Sequence, residues 1–192
     1  MIIDTEIILS RSKNTLLDLV ENLKDIEIVP FYNFELNSAE YRTKQQLESS
    51  LILPKNKFSV VYIIEIFDIS SKSTLIEQFA TFSTQNKNKT KNKDRINHSK
   101  YNATDSLILY VGSTIKDFKS RLYDHLGLKK GLRTYSLHLS KWDNAIEYSI
   151  RISLYEIKYI SHKIPERGIV ELIEQQIWDQ LQPTFGKRSG LL

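Results

Sequence analysis

"LYVGSTIKDFKSRLYDHLG", residues 109–127, decides how the chain is read. Leu109, Tyr110 and Val111 close an apolar run, Gly112 breaks it, and Phe118, Leu122 and Leu126 recur at helical spacing. The stretch predicts a strand, a turn and a helix over 116–126, with Thr114 as a candidate cap. Arg121 and His125 lie four apart and share one helix face. An arginine and a histidine so close after a tyrosine and a glycine could mark a surface or a site.

The flanks supply the rest of a fold. "FSVVYIIEIF", 58–67, is β-branched and aromatic and predicts a buried strand. "SLILYVG" is the next strand. "AIEYSIRISLYEI", 145–157, alternates: Ile146, Tyr148, Ile150, Ile152 and Leu154 face one way, Glu147, Ser149, Arg151 and Ser153 the other. "PERGIVELIEQQIWDQL" opens with Pro165 at a first-turn position, carries Val170, Ile173, Ile177 and Leu181 as a stripe, and is ended by Pro183. These elements predict a small α/β or α+β domain over 56–192, with a short three-stranded sheet, mixed or antiparallel, flanked by helices.

Two regions stand outside that core. Residues 1–55 read as a helical N-terminal extension, with Leu16, Val20 and Leu23 on one stripe and Asn37 or Ser38 as a cap before Glu40. Residues 68–105 are rich in Ser, Thr, Asn and Lys and read as a flexible basic insertion. Between Asn86 and Lys100, Lys87, Lys89, Lys91, Lys93, Arg95 and Lys100 face one acid, Asp94: six cations less one anion is a net +5, against +4 for the whole 192-residue chain. Charge concentrated this way suits a polyanion.

Composition removes other classes. There is no cysteine, so no disulfide framework and no cysteine-ligated zinc site. "MIIDTEIILSRSKN" lacks a basic n-region and a long apolar stretch, and no run nears the roughly 20 apolar residues of a membrane span. The expectation is a soluble, cytoplasmic protein. Glycine-rich phosphate loops, His/Glu zinc motifs and Gly-x-Ser-x-Gly elbows are also missing.

Four side chains could carry chemistry, though each alone has an ordinary explanation. Glu174 lies four after Val170 and three before Ile177, on the edge of an apolar stripe, where a carboxylate is costly unless paired or metal-bound. Glu171 is its rival. Arg121 has the planar fork that suits phosphate, yet an arginine on a helix is most often a solvated surface residue. Tyr62 and Tyr110 sit within apolar strands, where packing is the usual reason for a tyrosine.

Their order is distinctive. "VVY" at 60–62, "YVG" at 110–112, "KSRLYDH" at 119–125 and "ELIEQQIWDQLQP" at 171–183 resemble, in sequence, the motifs of the GIY-YIG nuclease family. The resemblance covers roughly 58–188. It implies the family's small domain, with Tyr62 and Tyr110 on two strands, Arg121 on a helix with His125 at the Arg-x-x-x-His spacing, and Glu174 as metal ligand on a later helix. Three departures are visible. Val60 stands where the first motif has glycine, the 68–105 insertion separates two strands that a short hairpin usually joins, and Gly186 stands where an asparagine follows the proline. Any bracing by that asparagine would fall to another residue, for example Lys187 or Arg188.

The resemblance implies Mg²⁺- or Mn²⁺-dependent hydrolysis of DNA phosphodiesters. Glu174 would hold the metal, Arg121 clamp the scissile phosphate, Tyr62 act as general base, Tyr110 orient water or phosphate, and His125 assist through a second phosphate contact. Gly112 would let backbone approach DNA. Lys87, Lys89, Lys91, Lys93, Arg95, Lys187 and Arg188 would contact phosphates and make binding salt-dependent. Restriction, homing, repair and phage or mobile-element roles all fit, restriction being the leading one, and a homodimer could read a short site. Two rivals are a DNA-binding domain of this fold without catalysis, and a protein-interaction module using the basic insertion.

Overall fold

The structure is a computed structural model and describes residues 4–91, 93–115, 117–132 and 134–188. It is an α+β fold: a four-stranded antiparallel sheet with five α-helices among the described residues. The strands are β1 (Ile26–Asn37), β2 (Ser59–Ile66), β3 (Ile108–Thr114) and β4 (Ser149–Tyr159), in the order β1-β4-β2-β3. The helices are α1 (Thr5–Leu23), α2 (Lys44–Ser50), α3 (Ile69–Lys87), α4 (Phe118–Leu126) and α5 (Arg167–Leu181). No helix among the described residues is long and apolar enough to cross a membrane.

The sheet has four strands rather than three because β1 lies inside the segment expected to be helical. β1 pairs along β4, with Phe34 opposite Ile152 and Leu36 opposite Ile150. A bulge between Pro30 and Tyr32 interrupts its alternation. Proline weakens a strand signal but is tolerated on an edge, which is where β1 sits. Asn37 does cap, as expected: with Glu40 it forms a capping box, but over a short 3-10 turn, Ser38–Tyr41, ahead of α2.

The second correction concerns 68–105, read as an insertion without regular structure: its first half forms α3. Asp68 caps α3 by accepting from the Ser71 backbone N–H. Leu75, Phe79 and Phe82, spaced i, i+4, i+7, are buried. At its end the Asn86 amide donates to the Ile96 carbonyl at 2.8 Å and accepts from the Ile96 N–H at 2.9 Å, which folds the lysine-rich turn back on the helix. The polar composition concealed three apolar residues at helical spacing.

The sheet has a core on each face. Val60, Tyr62, Ile64 and Ile66 of β2 pack with Ile150, Ile152 and Leu154 of β4, with Phe118, Leu122 and Leu126 of α4, and with Leu75 and Phe79 of α3. On the other face Val61, Val111 and Ile157 meet Ile169, Val170 and Ile173 of α5, with Leu19 and Leu23 of α1 at the margin. Val60 is fully buried, so the side chain that replaces a motif glycine fills core space. Asp117, rather than Thr114, caps α4, accepting from the Ser120 N–H at 2.9 Å, and Gly127 closes it in the left-handed region at φ 83°.

A buried polar cluster ties the β1–α2 segment to the entry of β4. Tyr41 donates to the Tyr148 hydroxyl at 2.6 Å, and Tyr148 donates to Asp143 at 2.9 Å. Arg42 closes the cluster on Asp143 at 2.6 Å.

Candidate active site

β3 is the second edge strand of the sheet, and the candidate residues gather around it from both faces. Tyr62 of β2 pairs with Gly112 of β3, and Ile64 with Tyr110. The two tyrosine rings stack, with centroids 6.2 Å apart and planes 14° from parallel. Gly112 leaves them room: a Cβ there would lie 2.6 Å from the Tyr62 hydroxyl and 2.7 Å from Cε1 of Tyr110. The glycine expected to admit DNA instead admits the two tyrosines.

α4 supplies Arg121 and His125 to that same face. Both ring nitrogens of buried His125 are engaged inside the protein, by the Tyr62 hydroxyl and the Leu137 N–H, so neither is placed for the second phosphate contact expected of it. Its Nε2 is 3.0 Å from the Tyr62 hydroxyl, and its Nδ1 accepts from the Leu137 backbone N–H at 3.3 Å. An Nδ1 that accepts leaves the proton on Nε2, so neutral His125 donates to Tyr62. Burial, then the Arg121 charge, holds His125 well below its ordinary pKa and keeps it neutral.

Arg121 acts on both tyrosines. Burial pushes the Tyr62 phenol far above its ordinary value, the neighbouring Tyr110 adds to this, and the Arg121 guanidinium pulls the other way. Tyr110 is likewise raised by burial and lowered by Arg121. Asp124, one turn on from Arg121, lies 3.9 Å from its guanidinium and 3.3 Å from Lys129. Lys129 thus shares the neutralisation of Asp124 and leaves Arg121 directed at the tyrosines.

Glu174 reaches the site from α5, on the opposite face. Along β3, Tyr110 and Gly112 face α4, while Val111 and Ser113 alternate toward α5. The Ser113 hydroxyl donates to Glu174 Oε2 at 2.5 Å. Burial raises the Glu174 pKa, the Ser113 bond lowers it, the Glu171 charge raises it and Arg121 lowers it. Arg121 and Glu174 thus act on one another, and the cluster wraps the sheet edge. Glu171 is paired with Arg167 and joins it, Ser113 and Thr114 in lining an open cavity of about 360 Å³. The alternation of "YVGST" carried the signal for Ser113, which sequence reasoning passed over.

Among the described residues no group of three or more His, Cys, Asp or Glu forms a ready metal cage. A half-buried carboxylate at a sheet edge still suits Mg²⁺, which binds through one or two carboxylates and completes its shell with water and phosphate oxygen. Glu174 would be the protein ligand of such an ion.

The tail is braced by a residue that sequence reasoning did not identify. The Asn102 side-chain amide donates to the carbonyls of Pro183 and Gly186, both at 3.1 Å, and its backbone N–H donates to Thr184 at 2.8 Å. The expected braces act elsewhere: Arg188 makes a two-pronged ion pair with Asp179, at 2.7 Å on each oxygen, and Lys187 is exposed beside Tyr110. Nothing local predicts Asn102, because the contact spans 81 residues.

The basic residues divide. Lys87, Lys89, Lys91 and Lys93 are exposed at and beyond the end of α3, and Arg95 is half-buried. A cavity of about 520 Å³ is lined by Asp25, Tyr159, Lys163 and Glu166 and lies five residues along β4 from Leu154, the partner of Tyr62. Comparison with protein-family models, with curated proteins and with solved structures finds no match to this chain.

Proposed function

We propose that the chain is a metal-dependent DNA endonuclease with a GIY-YIG-like site, hydrolysing a phosphodiester at the edge of β3. The observation that carries this reading is the convergence of Tyr62, Tyr110, Arg121 and Glu174, from β2, β3, α4 and α5, on one strand edge. A base, an orienting hydroxyl, a phosphate clamp and a carboxylate are the groups such a reaction needs.

Each residue then has a role set by its surroundings. Arg121 clamps the scissile phosphate and offsets the charge that builds on its oxygens, a contribution of about 3–4 kcal/mol for groups of this kind. Water enters beside half-buried Tyr110, whose hydroxyl orients it. The Tyr62 phenolate takes the proton of the attacking water as the new P–O bond forms and the bond to the leaving oxygen breaks. Arg121 and the His125 Nε2–H stabilise that phenolate. Mg²⁺ or Mn²⁺ held on Glu174 would neutralise charge on the phosphate and the leaving oxygen.

A supercoiled-plasmid assay tests the reading. Nicked or linear product should form with Mg²⁺ and not with excess chelator. Binding without cleavage under both conditions would establish the non-catalytic DNA-binding alternative, and no affinity for DNA at moderate salt would favour the protein-interaction module.

A further inference from the structure

Beside Tyr110 opens a cavity of about 330 Å³ whose lining includes His98, Lys100, Tyr135 and Lys187. A second cavity, about 280 Å³, includes Lys91, Arg95, Asn97 and again His98 and Tyr135. The shared residues make these one trough, running from the candidate site toward the lysine-rich turn. It brings Lys91, Arg95, Lys100 and Lys187 together, and no carboxylate among the described residues lines either cavity.

Tyr135 stands at the junction with 66% of its surface exposed. Its backbone is nonetheless held. Ser99 N–H donates to the Ser136 carbonyl at 3.0 Å, Asn97 N–H donates to Gly131 at 3.0 Å, and His98 bridges to Ser136. His138, itself buried, approaches the Thr134 carbonyl at 3.2 Å through Nε2. The ring faces solvent on a backbone held by these bonds, and the two cavities it lines carry four cations among their described residues. It offers a π-face to something flat and anionic.

We infer that this trough binds an unpaired DNA strand leading away from the cut, with one base stacked on Tyr135 and its phosphates on Lys91, Arg95, Lys100 and Lys187. Bases of an intact duplex are already stacked, so an exposed ring flanked by cations selects a single strand. The preferred substrate then carries a single-stranded arm at the cleavage point. The polarity of this inference rests on the nuclease reading, which makes the Tyr110 end of the trough the cut site.

The test uses the full chain and two readouts. The first is fluorescence anisotropy of labelled dodecathymidylate in chelator, for the unsubstituted protein, Tyr135→Ala and Tyr135→Phe. The inference expects Tyr135→Ala to weaken binding about 5- to 100-fold, the loss of one stacked base, and Tyr135→Phe to stay within about twofold. The second is the ratio of Mg²⁺-dependent cleavage of a duplex with a single-stranded arm to that of the same duplex fully paired. That ratio should exceed one and fall in Tyr135→Ala. Equal affinity of all three proteins for dodecathymidylate overturns the strand site, whatever the cleavage result. Tyr135-dependent binding with no cleavage of any DNA overturns the nuclease reading and leaves the strand site standing.

Discussion

The Tyr62 hydroxyl and His125 Nε2 lie 3.0 Å apart, with both residues fully buried. The Leu137 N–H on Nδ1 fixes the tautomer, so His125 holds the phenol oxygen as a donor and cannot take its proton. Tyr62 must therefore lose its proton to solvent before it can act as a base. Burial raises its pKa far above the ordinary value of about 10. The reactive phenolate is thus a minor species at neutral pH, and its population rises tenfold per pH unit. Cleavage should climb with pH from 7 to 9, with a log–log slope near one, and Tyr62→Phe should abolish the activity together with that slope. A flat profile in the unsubstituted enzyme would exclude Tyr62 as the base.

Gly112→Ala places a methyl group on the Tyr62 hydroxyl and against the Tyr110 ring. The rings must part, and a displacement near 1 Å at a reacting group costs about 100-fold in rate. Overpacking should also remove about 1–3 kcal/mol of stability. Steady-state cleavage and urea unfolding of one preparation measure both. A Gly112→Ala enzyme as active as the parent would mean that Tyr62 and Tyr110 need not sit as they do.

His125 also makes acid stability testable. The native pocket refuses a proton that the unfolded chain accepts below its ordinary pKa of about 6.5. Stability from this group is therefore whole above that pH and falls as the pH drops below it, by up to about 1.4 kcal/mol per pH unit. His138, also depressed by burial, adds in the same direction. Urea midpoints measured from pH 7.5 to 5 should decline, and His125→Gln should make the decline shallower. An unchanged slope in that variant would mean His125 is accessible to protons in the native state.

The Asp143 cluster separates stability from function. Asp143→Ala leaves buried Tyr148 and half-buried Arg42 without their shared partner and should cost up to about 3 kcal/mol in a denaturant titration. Cleavage per folded molecule should be unaffected, since the cluster lies outside the site. A loss of specific activity at full folding would place this region in substrate binding.

Much of this arrangement was legible where periodicity is clean. "FSVVYIIEIF" and "SLILYVG" became β2 and β3, and 145–157 maps onto β4 with Ile150, Ile152 and Leu154 inward. The burial of His125 was also open to reading: Phe118, Leu122 and His125 are spaced i, i+4, i+7, which puts the imidazole on the core stripe of α4. β1 was not legible, because Pro30 and a bulge break its alternation and only pairing with β4 settles it. Nor was α3, whose three buried apolar residues are diluted among polar ones. Asn102 lay beyond any local rule, since its partners are brought to it by the folded tail.

The most direct measurement is Mg²⁺-dependent cleavage of end-labelled DNA by Glu174→Ala beside the parent protein, at equal folded concentration checked by circular dichroism. The account predicts that the parent cuts, that chelator stops it, and that Glu174→Ala retains DNA binding while cleavage falls below about one-hundredth of the parent rate, consistent with loss of about 3 kcal/mol of electrostatic stabilisation. Cleavage by folded Glu174→Ala at the parent rate would contradict the central claim.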